Sequence, residues 1–317
     1  MNAIRRGGAG AADGDPSTPW WRADAGAAKA SIEAKANTAL VGSIPDRILG
    51  AALRGCLELP ACAAWSPWME YRICSRTEAD HEVAAEIAAL LEERARGGAS
   101  LVLGLATGRS PLGVYRELVA RHRAHALPVH ALRTFNLDEY LGLAPADPRS
   151  FQAQMRRELF DPLGLALSQW SIPRGDLPEQ LRDAHIAEYR AALRAAGGID
   201  LQLLGLGRNG HIGFNEPGSP RDARARVVEL AASTREDAAG EFGALEAVPT
   251  RAISLGVADI LDARRIRLLA FGAHKHAALR AALAGPPTVE RPLSWLQPHA
   301  DFRIFTDCPD APPGARR

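Results

Sequence analysis

The sequence has few cysteines, and no pairing pattern connects them. Only four occur in 317 residues, at Cys56, Cys62, Cys74 and Cys308, with no CxxC motif. The nine histidines are equally scattered, without an HExxH motif or a cysteine–histidine cluster. The sequence therefore predicts neither a disulfide framework nor a bound metal, and reduced thiols indicate a cytoplasmic location.

The chain also lacks an excess of either charge and has no long apolar run. The 38 Lys and Arg residues nearly balance the 37 Asp and Glu residues, for a formal net charge of +1. No global field therefore attracts nucleic acid or an acidic membrane surface, and an anionic ligand must be captured by local groups. No apolar run reaches the roughly 18–20 residues that cross a bilayer. We expect no nucleic-acid partner and no membrane partner.

Residues 1–68 differ in composition from the rest of the chain. The opening MNAIRRGGAGAADGDPSTPWW is rich in glycine, alanine and aspartate, without hydrophobic periodicity. This composition predicts a poorly ordered extension. Residues 69–310 are expected to form the folded domain, and residues 311–317 a C-terminal tail.

Strand and helix patterns alternate through the predicted domain. This alternation predicts an α/β fold, with a mostly parallel sheet covered by helices on both faces. A first helix is expected from the capping-box-like Thr77-x-x-Asp80. Further helices are predicted at 112–121, 151–159 and 178–196, and strands at 101–105, 132–135, 201–206, 252–257, 266–271 and 302–305.

The most informative segment, LLGLGRNGHIGFNEPG, begins as a buried strand and breaks into a glycine-rich turn. In open α/β sheets, ligands bind at the carboxyl ends of the strands, where this turn is expected to lie. His211 is a natural proton shuttle near neutral pH, and Glu216 is placed to orient its ring. A histidine beside glycine is often only structural, but Asn209 and Glu216 close by favour catalysis.

A second turn, Thr107-Gly108-Arg109-Ser110, follows the strand predicted at 101–105. Helix N-terminal amides, two hydroxyls and one arginine converge there, which suits a phosphate. The turn lacks the glycine patterns of nucleotide-binding loops, so a smaller phosphoester fits better. Lys275 opens a later helix, from which its ammonium can reach the same edge. Tight packing of the turn and a solvated lysine are the alternatives.

A third candidate is the acidic pair in Asn136-Leu137-Asp138-Glu139-Tyr140, after another predicted strand. Adjacent residues on extended backbone point to opposite sides, so at most one carboxylate faces a ligand. That carboxylate could move a proton between neighbouring carbons of a sugar. A helix cap or a surface acidic pair is the alternative.

Taken in order, LGLATGRSPLGVY, TFNLDEYLGL and LLGLGRNGHIGFNEPG resemble the glucosamine-6-phosphate deaminase family, whose superfamily also contains 6-phosphogluconolactonases. NGHIGFNEP separates this branch from the lactonases, which continue differently after the same turn. The resemblance implies a single-domain, Rossmann-like fold and a reaction that needs no metal or cofactor. In that reaction glucosamine 6-phosphate and water give fructose 6-phosphate and ammonia, through ring opening, aldose–ketose isomerisation and loss of the amine.

The resemblance also implies roles for particular residues. His211 matches the group that opens the sugar ring, and Glu216 the carboxylate that supports it. Asp138 matches the base that moves a proton from C2 to C1, while Asn209 is expected to position His211. The phosphate-binding residues would be Thr107, Gly108, Arg109, Ser110 and Lys275.

The chain departs from the family pattern at two places. Many members carry a phosphate-binding arginine on a flap, and Gly240 stands near that position here, within a flap at residues 234–249. Val228 replaces a lysine of allosterically activated members, so no such activation is expected. Another substrate epimer, such as galactosamine 6-phosphate, and a non-catalytic sugar-phosphate sensor stay open. A homo-oligomer also stays open, because related enzymes range from monomers to hexamers.

Overall fold

Ten strands form two sheets in the computed structural model, which describes residues 69–125 and 127–310. The strands are β1 (Glu70–Ile73), β2 (Leu101–Leu105), β3 (Leu132–Asn136), β4 (Asp138–Tyr140), β5 (Trp170–Ser171), β6 (Leu201–Gly205), β7 (Arg226–Glu229), β8 (Arg251–Ser254), β9 (Ile266–Ala270) and β10 (Phe302–Thr306). Seven of them form a parallel sheet in the order β1-β10-β9-β6-β2-β3-β5.

The helices alternate with these strands along the chain. They are α1 (Arg76–Arg96), α2 (Leu112–His125), α3 (Phe151–Met155), α4 (Glu179–Ala195), α5 (Ala232–Phe242), α6 (Val257–Leu261) and α7 (Ala273–Leu283). A π-helical turn, Arg156–Phe160, continues α3. Short 3₁₀ turns lie at Val129–Ala131, Leu167–Gln169, Leu245–Ala247 and Pro292–Leu296.

The predicted sheet with helices on both faces is confirmed. Leu101, Leu103 and Leu105 alternate along β2 and join a core with residues of α1 and α2. On the other face of the sheet, Phe135 packs edge-on against Tyr189 of α4, with ring centroids 5.7 Å apart. Each of these strands is buried on both faces, which explains its nearly continuous apolar sequence.

The strand predicted at 252–257 is wrong in length and in partner. β8 ends at Ser254, and it pairs antiparallel with β4 and β7 in a separate three-stranded sheet. Val257 instead begins α6. The strands β4 and β7 were not predicted, because three or four residues are too few to show a hydrophobic period. This small sheet carries Asp138 at its edge.

The capping box predicted at Thr77 and Asp80 lies two residues too late. The Ser75 hydroxyl accepts a hydrogen bond from the Glu78 amide at 3.2 Å, and the Glu78 carboxylate accepts one from the Ser75 amide at 2.8 Å. Both orphan amides are satisfied, so the helix begins at Arg76. The earlier start places an arginine in the first turn, directly after β1.

The predictions for residues 1–68 and 311–317 lie outside the described residues. Within those that the structure describes, no helix is both long enough and apolar enough to cross a membrane.

Parallel strands bring the most informative loops together. β9, β6, β2 and β3 are consecutive in the sheet, so the segments that follow them emerge at one edge. Residues 107–110 follow β2, Asp138 follows β3, His211 follows β6 and Lys275 follows β9. The topology therefore gathers the predicted site residues where an open α/β sheet binds ligands.

Candidate active site

A cavity of about 520 Å³ opens at this carboxyl edge of the sheet. Seven of the nine predicted site residues line it: Thr107, Gly108, Arg109, Ser110, Asp138, His211 and Lys275. Asn209 and Glu216 do not line it; they contact His211 from behind. The structure therefore brings seven of the predicted residues to one cavity and places the other two against His211.

The turn after β2 is held open by the sheet and by α3. Gly108 adopts φ +76°, a left-handed conformation that favours glycine. The Gln154 side chain accepts a hydrogen bond from the Gly108 amide at 3.4 Å and donates to its carbonyl at 3.3 Å. Ser110 is buried, and its hydroxyl accepts a hydrogen bond from Lys275 Nζ at 2.9 Å. The contact joins the β2 turn to α7.

Positive charge is concentrated around this turn. Burial, together with the nearby charges of Arg76 and Arg109, lowers the pKa of Lys275 to about 8. Among the described residues, the Arg109 guanidinium makes no hydrogen bond or ion pair, and the side chain is exposed. A like-charged cluster of this kind is favourable only when an anion occupies the space between its members.

Asp138 also lines the cavity, at the first position of β4. Its side chain is only 4% exposed, and its Oδ1 accepts a hydrogen bond from the Thr107 hydroxyl at 3.4 Å. Burial and, to a smaller extent, the neighbouring charge of Glu139 raise the pKa of Asp138 to about 8, although the Thr107 hydrogen bond opposes both. A carboxylate in such a site is a stronger base than one in water.

Glu139 points away from the cavity, as the alternation of a strand requires. Its carboxylate accepts hydrogen bonds from the amides of Tyr140 at 2.9 Å, Phe151 at 3.0 Å and Gln152 at 2.9 Å. Two of these amides belong to the first turn of α3. The helix-cap alternative for the acidic pair thus holds for Glu139, and Asp138 alone faces the cavity.

The imidazole of His211 is fixed through one of its two nitrogens. Nδ1 lies 2.8 Å from Asn209 Oδ1, 3.2 Å from Thr234 Oγ1 and 3.4 Å from a Glu216 oxygen. The Asn209 amide group donates to Glu216 at 2.8 Å, which fixes its Oδ1 toward the ring. Nδ1 must therefore carry the proton, so Nε2 is the acceptor.

This arrangement modifies the expectation for Glu216. Asn209, rather than Glu216, makes the shortest contact with the ring, and Glu216 holds Asn209. The second Glu216 oxygen accepts a hydrogen bond from the Ala231 amide at 3.2 Å. Burial raises the pKa of Glu216, but hydrogen bonds and the charge of His211 outweigh it and leave the pKa below its ordinary value. Glu216 is therefore ionised at neutral pH.

Gly207 lies beneath the His211 ring, where there is no room for a side chain. A Cβ added to Gly207 would lie 2.2 Å from the imidazole Cε1 and 2.5 Å from Nε2. Any side chain at this position would displace His211 from its place at the cavity wall. The glycine of this motif thus has a steric role.

The predicted flap is a helix followed by a 3₁₀ turn. α5 covers one side of the cavity with Thr234, Asp237, Ala238 and Glu241, whereas Gly240 does not line it. Arg208, beside the catalytic loop, donates to the Ser233 carbonyl at 3.1 Å and forms ion pairs with Glu236 and Asp237. The flap is therefore attached to the loop that carries His211, and it offers carboxylates to the cavity.

Sequence reasoning missed two groups of cavity residues. Aromatic rings connect β4, α3, the His211 loop and α5: Tyr140 contacts Phe151, Phe214 and Phe242 at centroid distances of 4.7, 5.3 and 5.3 Å. The motifs contain two of these aromatics, Tyr140 and Phe214, but their contacts are tertiary. Arg76 was also missed, because β1 was not predicted and α1 was expected to begin later. A Ser75-x-x-Glu78 capping box was the available signal.

Comparison with known proteins agrees with this geometry. Residues 75–305 match the family model of glucosamine-6-phosphate isomerases/6-phosphogluconolactonase. A glucosamine-6-phosphate deaminase of Rhodopirellula baltica is 44% identical over 229 residues, which cover 72% of this chain and 90% of the relative.

Solved structures give the same result. A monomeric glucosamine-6-phosphate deaminase superposes with a TM-score of 0.71 at 36% identity, over 75% of this chain and 97% of the other. A 6-phosphogluconolactonase from Trypanosoma cruzi has a TM-score of 0.60 at 20% identity, over 76% and 95% of the two chains, which shows the shared fold alone. This chain belongs to the family of glucosamine-6-phosphate isomerases and 6-phosphogluconolactonases.

Proposed function

We propose that this protein is a glucosamine-6-phosphate deaminase, which converts glucosamine 6-phosphate and water into fructose 6-phosphate and ammonia. One observation carries the proposal. A cation cluster and two differently held proton-transfer groups, Asp138 and His211, line a single cavity. Relatives with this name match most of the chain, and their sequence identity to it is 41–44%.

The phosphate is bound by the turn after β2 and by Lys275. The Thr107 and Ser110 hydroxyls, the Gly108 amide and the Arg109 guanidinium surround the space that Lys275 closes. Charge-assisted hydrogen bonds of this kind are among the stronger polar contacts in proteins. Anchoring the phosphate fixes the sugar so that its C1–C2 end lies toward Asp138.

His211 opens the ring. Because Nδ1 holds its proton against Asn209, Nε2 accepts the proton of the anomeric hydroxyl and delivers it to the ring oxygen as the C1–O5 bond breaks. The ionised Glu216 behind Asn209 stabilises the positive charge that forms on the imidazole. Asn209 and Glu216 therefore act as positioning residues, and His211 as a catalytic residue.

Asp138 carries out the isomerisation. Its carboxylate removes the C2 proton of the open aldose while a proton of the substrate ammonium passes to O1, which gives an enolamine between C1 and C2. Asp138 then returns its proton to C1. The resulting iminium at C2 takes up water and releases ammonia, leaving the C2 ketone of fructose 6-phosphate. The amine of the substrate is cationic before it leaves, so its approach favours the charged form of Asp138 despite burial.

Two further statements complete the proposal. Residues 69–310 form the deaminase domain, in agreement with the family match over residues 75–305. The reaction takes place in the cytoplasm, where Cys74 and Cys308, both free thiols in the structure, stay reduced.

A coupled assay for ammonia, with fructose 6-phosphate measured in parallel, tests the proposal. We expect equal amounts of both products from glucosamine 6-phosphate, and a lower kcat/KM with the galactosamine and mannosamine epimers. A higher kcat/KM with galactosamine 6-phosphate would transfer the assignment to that epimer. No ammonia from any of the three, together with ligand-induced thermal stabilisation, would reject the enzyme and support a sugar-phosphate sensor.

A further inference from the structure

Arg76 enters the cavity from an element that carries no recognisable motif. It is the first residue of α1, directly after the N-cap Ser75. Its guanidinium donates to the Ser110 carbonyl at 2.7 Å and stacks over the Phe271 ring, 4.7 Å from the centroid. Both contacts hold the side chain beside the Lys275–Ser110 hydrogen bond.

These contacts leave most of the N–H donors of the Arg76 guanidinium available to a ligand. A guanidinium has five N–H donors, and the bond to Ser110 uses one of them. Among the described residues, Arg76 forms no ion pair; Asp80, one turn along α1, interacts with it only through its charge. The Phe271 ring covers one face of the guanidinium, so the remaining donors are directed along its edge, within the lining of the cavity.

Arg76 is the third cation of the cluster. Together with Arg109, its charge adds to burial in disfavouring protonation of Lys275. Three cations around one turn repel each other unless an anion lies between them. The charged flap residues that line the cavity are the carboxylates Asp237 and Glu241, which do not bind an anion. Arg208 also lines the cavity, but it is already paired with Glu236 and Asp237.

We propose that Arg76 is a direct ligand of the substrate phosphate, which it binds together with Lys275 and the turn at residues 107–110. This inference rests on the proposed function for the identity of the substrate, but only on the cation cluster for the phosphate. The stack on Phe271 and the bond to Ser110 orient the guanidinium in advance, which reduces the entropy lost on binding. Phosphate specificity thus depends on the first turn of α1 as well as on the β2 turn.

The test compares Arg76→Gln with Arg72→Gln, a matched control four residues earlier. Arg72 is exposed, pairs with Glu82 and does not line the cavity.

The dissociation constant of inorganic phosphate is measured by calorimetry at pH 7, and kcat and KM for ammonia release are measured alongside it. For Arg76→Gln we expect phosphate to bind about 10- to 100-fold more weakly and KM to rise in proportion, because a hydrogen bond to a charged group is lost. We expect kcat to stay within about three-fold, and Arg72→Gln to match the wild type.

A structural role gives a different pattern. If Arg76→Gln lowers the melting temperature and kcat while its phosphate affinity equals that of Arg72→Gln, Arg76 only supports the turn and the proposal is wrong. Should Arg76→Gln fail to fold, Arg76→Lys keeps the charge but loses the planar fork. We expect it to weaken phosphate binding about three- to ten-fold, from the loss of one or two hydrogen bonds, and unchanged affinity would overturn the proposal.

The two proposals fail separately. If the wild type binds phosphate and Arg76→Gln does not, Arg76 is a phosphate ligand even when no amino-sugar phosphate yields ammonia. That outcome would reject the proposed deaminase activity, and the assignment of Arg76 as a phosphate ligand would stand. If the wild type itself binds no phosphate at millimolar concentration, the ligand proposal is rejected, whatever the assay for ammonia shows.

Discussion

The two walls of the cavity hold their polar side chains in opposite ways. The wall to which we assign proton transfer consists of Asp138 and His211, with Asn209 and Glu216 behind His211. Its imidazole is fixed by three neighbours, and its supporting carboxylate accepts two hydrogen bonds from the protein. The phosphate wall consists of Arg76, residues 107–110 and Lys275. Two of its three cations, Arg76 and Lys275, bond to the same residue, Ser110, and Arg109 makes no hydrogen bond within the described residues.

This difference matches the two tasks. A group that transfers a proton must keep one tautomer and one orientation, so its hydrogen bonds are satisfied within the protein. A group that binds an anion must offer unsatisfied donors, and the cost of gathering them is offset when the anion arrives. The walls are therefore expected to respond differently to substitution: changes in the first should lower kcat, and changes in the second should raise KM.

The largest effect is expected from Asp138→Asn. The amide cannot accept the C2 proton, so kcat should fall about 10²- to 10⁴-fold, the usual contribution of a general base. The measurement is steady-state ammonia release. Asp161→Asn, an exposed carboxylate paired with Arg156, serves as the control and should keep wild-type kcat. Turnover of Asp138→Asn within a few-fold of the wild type would show that another group moves the proton.

Asn209→Ala should have the next largest effect. It removes the oxygen that fixes the Nδ1 proton of His211 and separates the ring from Glu216. Losses of such supporting contacts cost about 10- to 100-fold in activity. We expect this loss in kcat, with KM and phosphate affinity unchanged. A variant that raises KM instead, with full kcat, would place Asn209 in substrate binding.

The pH profile should depend on both walls at once. The base must be ionised, and the pKa of Asp138 is raised to about 8, so kcat/KM should fall about ten-fold per pH unit well below that value. Lys275 must be protonated, and its pKa is lowered to about 8, so kcat/KM should also fall above that value. The expected profile is a narrow bell centred near pH 8.

The phosphate of the bound substrate should move the alkaline limb of that bell. The dianion favours the protonated form of Lys275, so the alkaline limb of kcat should lie at higher pH than that of kcat/KM. Profiles of both constants between pH 6 and 10 provide the check. An alkaline limb at the same pH in both would indicate that Lys275 does not contact the phosphate.

The smallest effect is expected at Gly240, a flap residue that belongs to neither wall. Gly240 lies on the exposed side of α5, and an added Cβ would meet no atom within 4 Å. Gly240→Ala should raise the free energy of unfolding by about 0.5–1 kcal/mol, because alanine restricts the unfolded chain and favours helix. Denaturant unfolding measures the gain. An unchanged KM should accompany it, whereas a raised KM would show that the flap needs flexibility here to admit substrate.

The two walls were not equally predictable from the sequence. Residues 107–110, Asp138, His211 and Lys275 each follow a strand of the parallel sheet, and the apolar runs of those strands are easy to recognise. Because each of them follows such a strand, the sequence predicted that they lie at one edge of the sheet. The resemblance implied that Asn209 positions His211, but its place as a closer partner of the ring than Glu216 depends on distances within a glycine turn, which no periodicity encodes.

Arg76 and the small antiparallel sheet show where prediction fails. Arg76 reaches the cavity from the N-terminus of α1, a whole strand and helix away in sequence from the loops it contacts. β4 and β7 are short and pair with β8 only through tertiary contacts, so their residues resemble loop. α5 is helical because its aromatic and aliphatic side chains pack on Tyr140 and Val228, although its sequence suggested a flap.

The division of labour between the walls is the central claim, and the affinity for inorganic phosphate tests it most directly. The dissociation constant is measured by calorimetry at pH 7 for the wild type, Asp138→Asn and Lys275→Met. We expect Asp138→Asn to bind phosphate at least as tightly as the wild type, although its turnover is lost. Lys275→Met should bind about 10- to 100-fold more weakly, because a charged hydrogen-bond donor is removed. Equal weakening in both variants, or none in Lys275→Met, would contradict this account.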